Sequence, residues 1–242
     1  MTLRFFSFTV VFLPNSLILI LLLLISSYGA AGSFGALPLL QALFAVLFTL
    51  GLLAALLLHE CAHLLVSRSY GHEGNLLFFM AFGAMGVITK KFEKPKEEFL
   101  IAVAGPLTSF IIGIILYLSA FPFLREGIES KPPIFQMLIW LPQIIGIISF
   151  IIGVFNLIPA FPMDGGRILH SILWKFLGKR PATYKSLLIG NIFALGLAFW
   201  GGYRIFSGDW GGLWPALIGF WLFTNQRQIK RMLDENNDDL PI

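Results

Sequence analysis

The stretch Leu52-Leu53-Ala54-Ala55-Leu56-Leu57-Leu58-His59-Glu60-Cys61-Ala62-His63-Leu64-Leu65-Val66 closes an almost wholly apolar run of 28 residues that opens at Leu39. Pro38 stands just before the run, where proline suits the first turn of a helix. A span needs roughly 20 apolar residues, so residues 39–66 predict a helix that crosses a bilayer. Its end carries the pattern H-E-x-x-H at His59, Glu60 and His63. With about 3.6 residues per turn, positions i and i+4 share a face. Two imidazoles there can grip one Zn²⁺, with the intervening Glu close enough to handle an attacking water. Four His and eight Glu among 242 residues would produce the pattern by chance roughly 0.002 times per chain. Arg68 follows soon after, so the helix could simply have left the membrane by His59, but that does not explain the spacing. Ionisable groups at membrane depth are costly and mark function.

The rest of the chain agrees with a membrane setting. Of the 242 residues, 57% are hydrophobic and 12% charged, and mean hydropathy is +0.83. A soluble domain is about 45–50% apolar and about 25% charged. The composition therefore excludes disorder and a water-soluble globule. The single cysteine, Cys61, rules out an internal disulfide.

Further apolar stretches at 16–36, 99–121, 134–157, 184–203 and the short 213–224 predict about six spans. The first could instead be a cleaved signal peptide. Residues 5–12, rich in Phe and Val, read as a short strand or interfacial segment. With both termini cytoplasmic, fourteen of the seventeen Lys and Arg fall inside, leaving Arg125, Lys131 and Arg204 outside. That orientation obeys the positive-inside rule, and it reads the net charge of +4 as topology rather than nucleic-acid binding.

Between the second and third spans, 75–82 and 87–92 read as strands, with Gly83-Ala84-Met85-Gly86 as the turn. The first arm is too apolar for a solvated hairpin. It is expected to pack beside the membrane, either as a packing loop or as an edge strand that receives an extended peptide through Phe78 and Phe79.

Two His leave a catalytic zinc one protein ligand short. Of the five Asp, those at 209, 234, 238 and 239 fall in an outside loop or the tail. Asp164 lies at the cytoplasmic end of the fourth span, at the same predicted depth as His59 and His63. A turn or helix cap is the alternative role for an Asp before Gly165-Gly166. His170 is expected to be solvated, and Asn191 to bridge helices.

Taken together, His59-Glu60-x-x-His63 and Asn156-x-x-Pro159-x-x-Pro162-x-Asp164-Gly165 resemble the motif pair of the site-2 proteases, the intramembrane zinc metalloproteases. Ala104-Gly105-Pro106 is similar to that family too, whereas Cys61-Ala62 stands where it commonly has Leu-Gly. The resemblance implies one Zn²⁺ held by His59, His63 and Asp164, with Glu60 as the general base. It gives Asn156 a contact to substrate or oxyanion, against the plainer role of an interhelical hydrogen bond. It implies single-pass membrane substrates, such as anti-sigma factors or membrane-tethered transcription-factor precursors, and room for a regulatory membrane partner.

The expected fold is an all-α polytopic membrane protein with a small β-hairpin between helices two and three. It would form one transmembrane metalloprotease domain over 1–242 with its core at 39–167. No PDZ or CBS domain is expected, and 233–242 would be a flexible acidic tail. The expected setting is the cell membrane, with the site near the cytoplasmic side. A silent scaffold or inhibitor, a zinc-site transporter and a lipid hydrolase are the competing readings. The intact His59, Glu60, His63 and Asp164 argue against the first. The lack of a repeated half argues against the second. The hairpin and Asn156 argue weakly against the third.

Overall fold

In the computed structural model of the chain, helix α2 runs from Pro38 to Ser69, 32 residues with proline in its first turn. The structure describes residues 2–5, 8–72, 74, 76–80, 83–87, 92–124 and 131–235. The other helices are α1 (Ser16–Gly32), α3 (Pro95–Leu124), α4 (Pro133–Asn156), α5 (Asp164–Leu177), α6 (Lys179–Phe206) and α7 (Leu213–Glu235).

Among the described residues, α2, α3, α4 and α6 are long and apolar enough to cross a membrane, and α1 is a shorter apolar helix. The expected six spans are therefore four by this measure. Two reasons account for the difference. Helix α1 has only 17 residues. Helix α7 is apolar only in its first half, before Asn225-Gln226-Arg227. That helix also reaches Glu235 with Leu233 buried, so the expected acidic tail starts later than Leu233. Residues 236–242 lie outside the described residues.

The chain divides into two units. The first, Met1–Lys90 with Ala104–Gly153, holds α1, α2 and a four-stranded sheet. The strands are β1 (Thr2–Phe5), β2 (Phe8–Phe12), β3 (Leu76–Met80) and β4 (Gly83–Val87), in that spatial order. Pairs β1–β2 and β3–β4 are antiparallel, and β2–β3 is parallel. Of the expected strand at 5–12, residues 8–12 form β2, Phe5 ends β1, and residues 6–7 lie outside the described residues.

The expected turn at Gly83–Gly86 is instead strand β4. Its small residues serve close packing, not turning: a Cβ on Gly86 would lie 3.2 Å from Leu64 of α2. Of the expected arm 87–92, only Val87 is in a strand, and residues 88–91 lie outside the described residues. Buried Phe8, Val10, Leu77 and Phe79 seat the sheet against Cys61 and Leu64. Alternate side chains of a strand face opposite ways, which is why Leu77 and Phe79 turn inward together. A second core joins Ala31 of α1 to Phe44, Phe48 and Leu52 of α2 and to Met137 and Ile145 of α4.

The second unit, Lys91–Val103 with Val154–Ile242, is built mainly from α5, α6 and α7. Helix α5 was not expected, because Gly165-Gly166 reads as a turn in the sequence; here the pair forms the helix's first turn. Both glycines are needed there, since a Cβ on Gly166 would sit 2.6 Å from the Phe161 backbone nitrogen. Ala160, Ala194 and Leu222 form one core and Phe161, Leu187 and Leu233 another. Between α6 and α7, the Arg204 guanidinium beside Asp209 and the Gly211 amide hold the Asp209 carboxyl below its usual range.

Candidate active site

Helix α2 delivers His59 and His63 to one face, as the i, i+4 spacing requires. Their Nε2 atoms lie 3.2 Å apart, with the ring planes at 77°. Both side chains are buried, at 3% and 5% exposure. Two nitrogens at about 2.0–2.1 Å from one tetrahedral zinc would be about 3.3 Å apart. The separation therefore fits two imidazoles converging on a single cation.

The other ring nitrogen of His59, Nδ1, is 2.8 Å from Ser109 Oγ of α3. With Ser109 accepting from Nδ1–H, the Nε2 lone pair is left for the metal, the usual outer partnership of a ligating histidine. Ser109 was not singled out from the sequence. Its signal is the i+4 spacing from Gly105, which places both on one face of α3. Gly105 lies directly against the pair: a Cβ there would meet His63 Nε2 and would stand 2.6 Å from His59 Nε2. The site thus needs a bare backbone on α3 where Ala104-Gly105-Pro106 supplies one.

Glu60 points to the sheet. The Gly86 amide of β4 donates to Glu60 Oε2 at 2.8 Å. In a strand, alternate residues send their backbone groups to opposite sides. The Gly86 N–H is committed to Glu60 rather than to β3, so the outer edge of β4 is the side that faces Glu60. Among the described residues, β4 pairs with β3 alone, and β3 is interior to the sheet.

Phe78 and Phe79 lie on β3, one strand in from that edge. Phe79 is 1% exposed and stacked on Phe12 with ring centroids 4.9 Å apart. Phe78 is half-buried on an interior strand. Among the described residues the edge strands of the sheet are β1 and β4, and of these β4 is the one bonded to Glu60.

In the second unit, Asp164 heads α5 and is buried. Met163 holds the N-cap position, and Asp164 is the first helical residue. The Arg167 guanidinium lies 3.9 Å from Asp164 Oδ1 and over the Phe92 ring. Asn156 is the last residue of α4 and half-buried. One sequence expectation fails here. His170 is 1% exposed, not solvated, because Glu98 and Thr183 satisfy both its nitrogens. Asn191 Oδ1 is buried and finds no hydrogen-bond partner among the described residues. Cys61 is a free, buried thiol packed against the sheet.

The family model of peptidase family M50 matches residues 47–136 and 127–199. A zinc metalloprotease of Methanocaldococcus jannaschii is 38% identical over 159 residues, covering 65% of this chain and 43% of that protein. Rip3 of Mycobacterium tuberculosis is 31% identical over 179 residues, covering 73% of this chain and 44% of its own. The chain thus spans less than half the length of these two curated relatives. The solved structure of a site-2 protease from Methanocaldococcus jannaschii superposes with a TM-score of 0.61 at 28% identity, over 94% of each chain. The resemblance carried by the two sequence motifs is thereby borne out, and the chain belongs to peptidase family M50.

Proposed function

We propose that this protein is an intramembrane zinc metalloprotease that hydrolyses peptide bonds in or near the transmembrane segments of membrane-tethered proteins. The observation that carries the reading is the buried His59–His63 pair, its Nε2 atoms spaced for one tetrahedral cation, with Glu60 on the same turn. Asp164 is the proposed third protein ligand, since a catalytic zinc takes three and leaves a fourth position open. Zn²⁺, when bound, acidifies water and polarises the scissile carbonyl. Glu60 accepts the proton of the attacking water and returns it to the leaving amine. The Gly86 amide holds one Glu60 oxygen and so fixes the carboxylate beside the strand. Asn156 is proposed to hydrogen-bond the substrate near the cleaved bond.

A helical substrate hides its carbonyls in i to i−4 bonds and must unwind before it is cut. The open edge of β4 is proposed to take the unwound segment as an added strand. Its outer backbone groups lie on the Glu60 side, so pairing brings the peptide to the base. The proposed orientation puts both termini and the site on the cytoplasmic side, where the basic loops gather. Anti-sigma factors and tethered transcription-factor precursors are the substrate types proposed.

Two tests follow from this assignment. Stripping the purified protein with a chelator should abolish cleavage of a single-pass substrate in bilayers, and Zn²⁺ should restore it; cleavage that persists without metal would sink the proposal. In the second, Ala84→Pro removes an outward N–H from β4 while sparing the inward ladder. It should cut kcat/KM about tenfold with bound zinc unchanged, in line with the loss of main-chain pairing. Unchanged kcat/KM would remove the strand-addition step.

A further inference from the structure

The second unit contains a buried polar chain that no step of the proposed reaction uses. Glu98 in the first turn of α3, His170 in the middle of α5 and Thr183 in the first turns of α6 are at most 1% exposed. His170 Nδ1 is 2.7 Å from Glu98 Oε2, and Nε2 is 3.0 Å from Thr183 Oγ1. The Thr183 hydroxyl gives its one proton to the Lys179 carbonyl at 2.9 Å. It must therefore accept from His170 Nε2–H. One further proton then lies between Nδ1 and the Glu98 carboxyl, and every member of the chain is satisfied. The imidazole is flanked by the rings of Phe161 and Trp174.

Such a chain is an expensive way to fill a core. An apolar side chain would pack as well without desolvating polar groups. What it adds is direction: hydrogen bonds from two other helices fix how far α5 is rotated and how deep it sits. A second grip acts just before α5. Gln226 of α7 is fully buried, and its Nε2 donates to the Phe161 carbonyl at 3.1 Å. Phe161 lies three residues before Asp164 and His170 six after it. Six residues rise about 9 Å along a helix, so His170 acts on Asp164 through the backbone.

We propose that Glu98, His170 and Thr183 are positioning residues that hold α5 so that Asp164 is presented to the metal. This rests on the reading of Asp164 as a zinc ligand, and the test separates the two. Zinc affinity of the full chain is measured by chelator competition for Asp164→Ala, Thr183→Val, Thr183→Ser and His170→Phe, with thermal melting of the metal-free forms alongside. Thr183→Val keeps the shape but cannot accept from His170; Thr183→Ser can. Loss of an outer partner typically costs about 10–100-fold in metal affinity. Thr183→Val and His170→Phe are expected to fall in that range and Thr183→Ser to match the parent. The double variant Asp164→Ala/His170→Phe should bind no more weakly than Asp164→Ala alone, because coupled residues are non-additive. A general loss of stability would instead add. Parental affinity in Thr183→Val, or additive losses in the double variant, overturns the inference. Parental affinity in Asp164→Ala overturns the ligand reading instead. If His170→Phe does not fold, the Thr183 pair alone decides.

Discussion

Glu60→Gln is expected to lower kcat by about 10³-fold, close to 4 kcal/mol of transition-state stabilisation, while bound zinc stays at one per chain. Glutamine has the shape of glutamate, and its carbonyl oxygen still accepts from the Gly86 amide that now reaches Glu60 Oε2. The sheet should therefore keep its place on α2. What disappears is the capacity to take a proton from water and return it to the amine. The readout is turnover of a single-pass substrate in bilayers, with metal content determined on the same sample. If kcat falls less than tenfold, Glu60 is not the base. If zinc is lost as well, the variant has damaged the site and the rate says nothing about proton transfer.

Gly105→Ala is expected to reduce zinc affinity by 100-fold or more without unfolding the protein. The added methyl would sit 2.6 Å from His59 Nε2 and against His63 Nε2, the two atoms proposed to hold the metal. The rings must swing away, and their convergence goes with them. Helix propensity pushes the other way: alanine is favoured over glycine by about 1 kcal/mol in a helix interior. Metal affinity and the melting temperature of the metal-free protein should therefore part company, the first collapsing while the second holds or rises. Gly113→Ala on the same helix is the contrast. Its methyl would press on the Gly146 carbonyl at 2.9 Å, so it should lower stability with zinc affinity intact. Parental zinc affinity in Gly105→Ala would show that the rings do not bind metal in this arrangement.

These residues mark what the sequence could and could not disclose. His59, Glu60 and His63 are legible because their geometry is local: one helix and a spacing of four set it. Asp164 is legible as chemistry, since a two-histidine zinc site needs another ligand, but its helix is not. Gly165-Gly166 reads as a turn, and only the nearby Phe161 backbone shows why side chains are excluded there. Ser109 and the Gly86 amide reach His59 and Glu60 across 50 and 26 residues, and His170 meets Glu98 across 72. No periodicity encodes such pairings. The β4 error has the same root, because Gly83-Ala84-Met85-Gly86 has turn composition yet is small in order to lie against Leu64. Spans were legible wherever apolar length decides. At α1 and α7 length or polarity is marginal, so four helices reach span length by that measure alone.

The length of α2 makes the lipid itself a variable. Its apolar run of 28 residues rises about 42 Å, whereas the hydrocarbon of a typical bilayer is about 30 Å thick. Upright, the run cannot be covered as far as Val66 if His59 and His63 are to sit within the hydrocarbon. The helix must lean or the bilayer must thicken around it, and longer acyl chains let it stand straighter. His59 and His63 ride near one end of this lever, so acyl-chain length sets how deep below the headgroups they sit.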